Sequence, residues 1–370
     1  SPVETARGHL PSGSQPLDEE ILPAPATEKQ RHPGPPDRSR HPDHPHTRDT
    51  RSDAEETTVS TTDRTAEHTE ERAALSTHGA AACPFPAATV LGYPRIGPRR
   101  ELKRALERRW SGNSDAADLA SEVTALRVRT VARLRELGLT GCSAIPASFA
   151  LYDQVLDAIV ATGAVPARFH DLADEHGRLD REASFVLARG DAARGPLEMT
   201  KWFDTNYHYL VPEIGPETPF AANPEELKGQ VYAGTYSPAD AAALRPAVVG
   251  PVTFLLLAKP EDSAPAGYDP LDRLEDLLPV YSELIAALGC TGVRWVQLEE
   301  PALAADQDRE DLPELVERAY RVLSEARAAE DPALLVTTAY GDARELLPVL
   351  ARTGVEAVHA DLASGRRGLR

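Results

Sequence analysis

Trp295-Val296-Gln297-Leu298-Glu299-Glu300-Pro301 is the stretch that decides how this chain is read. A short, largely apolar run ends abruptly in two carboxylates and a proline. Such a run, bounded by turn chemistry, reads as a strand buried in a parallel sheet. Proline then stops the ladder, because it has no backbone N–H to donate. Adjacent carboxylates on a strand point to opposite faces, so Glu299 and Glu300 cannot work as an acid–base pair at one site. One would face a strand-end mouth and the other a helix; a strand-ending turn with a structural salt bridge fits equally well.

The same layout recurs on both sides. Strands are expected over residues 88–93, 142–146, 205–211, 247–254, 294–298, 333–338 and 357–361. Helices are expected between them, over 99–110, 117–137, 151–161, 270–288, 312–326 and 343–351. In the second of these, Leu119, Val123, Leu126, Val128, Val131, Leu134 and Leu137 recur at mostly three- and four-residue steps. Residues 164–200 interrupt the alternation with polar sequence and one helix near 181–188. Repeated strand–helix units imply α/β architecture with parallel strands and crossovers. An open doubly wound sheet and a (β/α)8 TIM-type barrel both fit. No Gly-x-Gly-x-x-Gly follows the first strand, which weakens a dinucleotide-binding sheet. Polar groups close several strands, at Tyr93-Pro94-Arg95, Gly250-Pro251-Val252-Thr253 and Thr337-Thr338, and that suits a barrel.

The chain has 370 residues and a formal charge of -18. Residues 1–82 hold 15 Asp and Glu against 9 Lys and Arg, and 7 of the 11 His. All 20 aromatic residues lie beyond position 84. So polar a segment cannot bury enough apolar surface to offset its ordering entropy, and a disordered extension is expected over 1–82 with a folded domain over 83–370. The acidic balance argues against nucleic acid as a partner. No apolar run approaches the roughly 20 residues that span a bilayer. Cys83, Cys142 and Cys290 stand far apart, which reads as neither a disulfide framework nor a metal site; a cytoplasmic location is the simplest expectation.

Two constellations carry candidate chemistry. Arg99-Arg100-Glu101-Leu102-Lys103-Arg104 opens a helix, where backbone N–H groups and basic side chains favour an anion. On spacing alone, a solvated basic helix start is the simpler reading. Glu198 to Glu213, Glu-Met-Thr-Lys-Trp-Phe-Asp-Thr-Asn-Tyr-His-Tyr-Leu-Val-Pro-Glu, crowds aromatic, amide and charged groups too densely for a core strand. It reads as a ligand-facing surface with Lys201 as its cation. His208, between two tyrosines, is expected to be a buried, hydrogen-bonded histidine rather than a metal ligand. No set of residues has convincing zinc spacing.

These segments resemble the amino-terminal half of cobalamin-independent methionine synthase. Val90-Leu91-Gly92-Tyr93-Pro94-Arg95-Ile96-Gly97, Arg99 to Lys103, Leu151 to Asp157, Glu198 to Glu213, Gly250 to Phe254 and Trp295 to Leu303 carry the likeness, in order and spacing, over about residues 88–365. The resemblance implies two face-to-face (β/α)8 barrels that move a methyl group from 5-methyltetrahydrofolate polyglutamate to homocysteine. It implies zinc in a carboxyl-terminal barrel beyond this chain, no cofactor in this half, and a folate glutamate tail on Arg99, Arg100, Glu101, Leu102 and Lys201. It assigns no catalytic residue and no metal ligand here. Departures include Ala147-Ser148-Phe149 for the family's Gly-Asp-Phe and Glu299 for its Asp. The chain is therefore expected to be a barrel cut off after its seventh strand, inactive alone, with a separate carboxyl-terminal barrel as a candidate partner. A non-catalytic barrel that binds a folate or a protein is the alternative.

Overall fold

The structure, a computed structural model, describes residues 83–364 apart from 234, 236 and 306–308. All of them lie in the second of two units of the chain, Ser60–Arg370. The disordered extension expected over 1–82 lies outside the described residues.

Helices α1, Glu101–Trp110, and α2, Ala116–Glu136, pack through Leu102, Leu106, Leu119, Val123 and Leu126. The aspartate before α2 starts it: Asp115 Oδ1 accepts from Asp118 N at 2.8 Å, and Asp118 returns the bond to Asp115 N. This reciprocal pair satisfies two N–H groups that a helix end leaves free. Strand β1, Ile145–Ala147, is buried throughout. Asp153 then caps α3, Gln154–Thr162, and Asp180 caps α4, Arg181–Arg189. Strands β2, Met199–Lys201, and β3, His208–Leu210, form an antiparallel hairpin with Lys201 opposite His208. A two-residue strand β4, Glu213–Ile214, follows.

Next come α5, Glu225–Tyr232, α6, Pro238–Ala243, β5, Leu244–Val249, and α7, Pro251–Leu256. Strand β6, Lys259–Pro260, pairs with β4. The rest alternates: α8, Leu274–Gly289; β7, Trp295–Glu299; α9, Leu312–Glu325; β8, Ala333–Thr338; α10, Leu347–Leu350; and β9, Ala357–Ala360. The main sheet has five strands in the order β1-β5-β7-β8-β9, every pair parallel.

The architecture is therefore mixed α/β on a five-stranded parallel sheet, which bears out the alternation; the seven-stranded barrel does not appear among the described residues. Two expected strands account for the difference. Residues 88–93 join no ladder. Their backbone is held by side chains instead: Arg245 Nη2 donates to Val90 O at 2.8 Å and Gln297 Nε2 to Leu91 O at 3.0 Å. Residues 205–211 shorten to β3, because Trp202 to Tyr207 turn back on themselves through Trp202 N to Tyr207 O at 2.9 Å. The strand expected over 247–254 stops at Val249, since Pro251 occupies the first turn of α7, where a missing N–H costs nothing.

The cysteines also need correction. Cys83 and Cys142 form a disulfide, leaving Cys290 free and exposed. A separation of 59 positions hides such a pair from any local reading. The compartment expectation loses the support it drew from unpaired thiols. No helix among the described residues is long and apolar enough to cross a membrane.

Candidate anion site and polar sheet face

The basic helix start is built around Gly97. Its φ of +83° is left-handed, and a Cβ there would lie 2.3 Å from Glu101 Oε2. The chain turns through Gly97 O, which accepts from Arg100 N at 3.0 Å, and Arg100 itself takes φ +61° before α1 begins. Such a φ is uncommon outside glycine. Glu101 closes the turn: Oε2 accepts from Arg99 N at 2.9 Å and Oε1 from Arg99 Nε at 3.3 Å. The Arg99 backbone N–H, chiefly, holds the Glu101 carboxyl below its ordinary range.

The five residues expected to hold an anion thus divide by role. Arg99 and Arg100 are exposed, with the Arg99 side chain 80% accessible. Glu101 already occupies part of the N-terminal anion position of its own helix. Leu102 is a core residue, and its N–H is taken by Ile96 O at 3.1 Å. Lys201 projects from the β2–β3 hairpin, exposed, and makes no ion pair among the described residues. Arg99 to Leu102 are brought together by the chain itself; no hydrogen bond or ion pair among the described residues joins Lys201 to them. Lys259 anchors the hairpin's base, with Nζ 3.1 Å from Glu198 and 3.6 Å from Glu213. His208 is exposed, so the expectation of a buried histidine is wrong: it lies opposite the exposed Lys201 at the turn end of the hairpin, while Tyr209 and Leu210 after it are buried.

A second feature emerges from sheet register. Val249 pairs with Glu299, Glu299 with Thr337, and Thr337 with His359. In-register neighbours of parallel strands point to one face, as do residues two apart along a strand. Arg245, Gln297, Glu299, Thr337 and His359 therefore share a face. Arg245 is fully buried. It donates through Nε to Gln297 Oε1 at 3.0 Å, through Nη1 to Thr89 Oγ1 at 3.1 Å, and to Ser143 O. Gln297 Nε2 passes the chain of bonds on to Glu299 Oε1 at 3.0 Å. Burial pushes the Glu299 carboxyl up to about 7, against the opposing pull of Gln297 and Arg245. Burial likewise pulls Arg245 down to about 10. An arginine inside the apolar run Leu244-Arg245-Pro246-Ala247-Val248-Val249 is the sequence signal for this network, because a charge in a core strand is rare unless it is paired.

Glu300 faces the other way and is fully buried. Its carboxylate accepts from Val252 N at 3.2 Å, Thr253 N at 2.6 Å and Tyr320 Oη at 2.5 Å. It caps α7 from across the fold, a structural task. The division of labour expected of the two glutamates is thus met, with Glu299 on the polar face.

Near this face, Phe203 stacks on Tyr340 with ring centroids 5.7 Å apart and planes 15° from parallel. Both residues have positive φ, 44° and 71°. Bulky side chains held there mark a place where surroundings override local preference. Gly341 follows Tyr340 because a Cβ would sit 1.9 Å from Ala304 O. Tyr340 N donates to Asp361 Oδ2 at 3.0 Å. Among the described residues, no group of three or more His, Cys, Asp or Glu is placed to hold a metal ion.

Residues 87–370 match the family described as cobalamin-independent synthase, N-terminal domain. A 5-methyltetrahydropteroyltriglutamate–homocysteine methyltransferase of Mycolicibacterium paratuberculosis is 46% identical over 279 residues, 75% of this chain and 35% of that protein. A protein of the same description from Streptomyces avermitilis is 47% identical over 283 residues, 75% of this chain and 35% of its own length. The chain thus spans about a third of the length of the curated relatives it matches. Among solved structures, a methyltransferase from Methanosarcina mazei covers 59% of this chain and 70% of its own at 14% identity and a TM-score of 0.30, a likeness too weak to carry an argument.

Proposed function

We propose, from the premise that this chain belongs to the cobalamin-independent synthase family through that family's N-terminal domain, that it supplies the half that holds the glutamate tail of a methyl-donating folate. The relatives' description names a triglutamate donor and homocysteine as acceptor. The observation that carries the reading is the pair Arg99 and Arg100, exposed at a helix start that Gly97 and Glu101 hold in one shape. Arg99 and Arg100 meet carboxylates of the tail; Glu101 fixes Arg99; Leu102 anchors α1 in the core; Lys201 supplies a further cation from the hairpin. A guanidinium suits this task, because its planar fork donates two parallel bonds to a carboxylate.

Zinc, implied by resemblance for the family's carboxyl-terminal barrel, finds no donor set among the described residues, and no step through a metal is assigned to this chain. Methyl transfer on this reading draws on the family's carboxyl-terminal barrel as well. The test is calorimetric titration of the chain with triglutamate and monoglutamate folates. A charge-assisted hydrogen bond is worth on the order of 1.5–3 kcal/mol, so Lys201→Ala or Arg100→Ala should weaken the triglutamate about tenfold or more, at about 1.4 kcal/mol per decade. The monoglutamate should be nearly unaffected. Equal losses for both ligands would remove these residues from the tail site. Methyl transfer is then assayed with the chain alone and with a zinc-bearing carboxyl-terminal barrel added.

A further inference from the structure

A cavity of about 330 Å³ opens between α3, α4 and α5. None of Arg99, Arg100, Glu101, Leu102 or Lys201 lines it. Its walls are largely apolar, from Leu156, Val160, Leu179 and Phe185. Gly229 lies inside α5 and also lines the space, and a Cβ there would meet nothing within 4 Å. Glycine weakens a helix interior relative to alanine. No positive φ requires it here, so its effect is to leave the cavity unfilled.

Most charged groups around the cavity already have partners. Glu226 accepts from Arg127 Nη2 at 2.8 Å and from Arg181 Nη2 at 2.7 Å. Glu225 pairs with Lys228 at 2.8 Å. Asp180 is spent on the cap of α4, accepting from Ala183 N at 2.8 Å. Asp157 is the exception. Its Oδ2 accepts from Gln230 Nε2 at 2.9 Å, and its other oxygen has no donor among the described residues. It has no cation partner there either.

We infer that this cavity binds a small organic cation, an ammonium group on a compact apolar body, with the ammonium on Asp157 and the body against Leu156, Val160, Leu179 and Phe185. An ammonium supplies both the missing donor and the missing charge. An anion gains little, because Arg181 is bonded to Glu226 and is the one cation in a lining that also holds Asp157, Asp180 and Glu225. Burial raises the Asp157 carboxyl to about 7, with Glu226 and Asp153 adding repulsion and Arg127 opposing them. The groups facing it are Asp153 at the start of its own helix, Arg181 and Asp180 from α4, Glu225 and Glu226 from α5, and Arg127 from α2. A bound cation favours the ionised form, so affinity is full above pH 7 and falls as pH drops through that value.

The test is calorimetry of the full chain with phenethylamine, charged throughout this range, and with phenethyl alcohol, its neutral counterpart. Phenethylamine should bind at one site per chain at pH 8, with the alcohol about tenfold weaker or worse. Amine affinity should fall about tenfold between pH 8 and pH 6, following the ionised fraction of a group titrating near 7. Asp157→Asn keeps an acceptor for Gln230 and should erase both the amine preference and the pH dependence. Gly229→Leu leaves Asp157 in place, fills the space, and should abolish binding at both pH values. Equal affinity for amine and alcohol, undiminished binding by Gly229→Leu, or no binding of phenethylamine by the wild-type chain would each overturn the inference. The probe carries no carboxylate and the site shares no residue with the folate-tail reading, so either can fail alone.

Discussion

Replacing Glu299 by glutamine should flatten part of this protein's stability profile. The carboxyl sits on the polar sheet face, bonded to Gln297, and titrates at about 7 against an ordinary 4.5. A carboxyl with a raised folded-state pKa binds a proton more tightly when folded than when unfolded. Its contribution is therefore fully present below pH 4.5 and is lost as pH rises through 7. At about 1.4 kcal/mol per pKa unit, that gap corresponds to on the order of 3 kcal/mol. Partial solvent access and the attraction of Arg245 make this an upper bound. Glutamine keeps the oxygen that accepts from Gln297 Nε2 but cannot ionise. Glu299→Gln should therefore gain stability over wild type as pH rises from about 5 to 8, by up to about 3 kcal/mol. Asp153 and Asp157, pushed by burial to about 6 and about 7, titrate in both proteins and cancel in the difference. Urea unfolding followed by tryptophan fluorescence at pH 5, 6, 7 and 8 measures it. A difference that stays constant over this range, or moves against the variant at high pH, would refute the placement of a strained carboxyl on this face.

Arg245→Met should cost about 3–5 kcal/mol, because Val90 O, Ser143 O and Gln297 Oε1 lose a buried donor together; a loss under about 1 kcal/mol in urea titration would mean that residues 88–93 are held by something else. Alkylation of the unreduced, denatured chain followed by mass spectrometry should label Cys290 alone, and label on Cys83 or Cys142 would contradict their pairing.

Sequence by itself was enough for the α/β alternation, the family and the basic start of α1. These rest on periodicity and motifs whose information is contiguous: the spacing of Leu119, Val123 and Leu126 in α2, and the run Arg99 to Arg104 at the start of α1. Pro251, by contrast, opens α7 inside a run expected as a strand. It was also enough for the opposite orientations of Glu299 and Glu300, because side chains alternate along a strand. Tertiary structure alone decided what each of them meets. Glu300 caps a helix some 50 positions upstream, and Glu299 joins a chain of bonds begun by Arg245 on a neighbouring strand. It also decided that 88–93 is held by side chains rather than by a ladder, that the Lys201 run folds into a hairpin with His208 outside, and that Cys83 meets Cys142. The cavity beside Asp157 belongs to the same class, since its walls come from three helices. In each case the partner is distant in sequence, and local pattern records what a residue prefers, not which of many distant groups arrives to satisfy it.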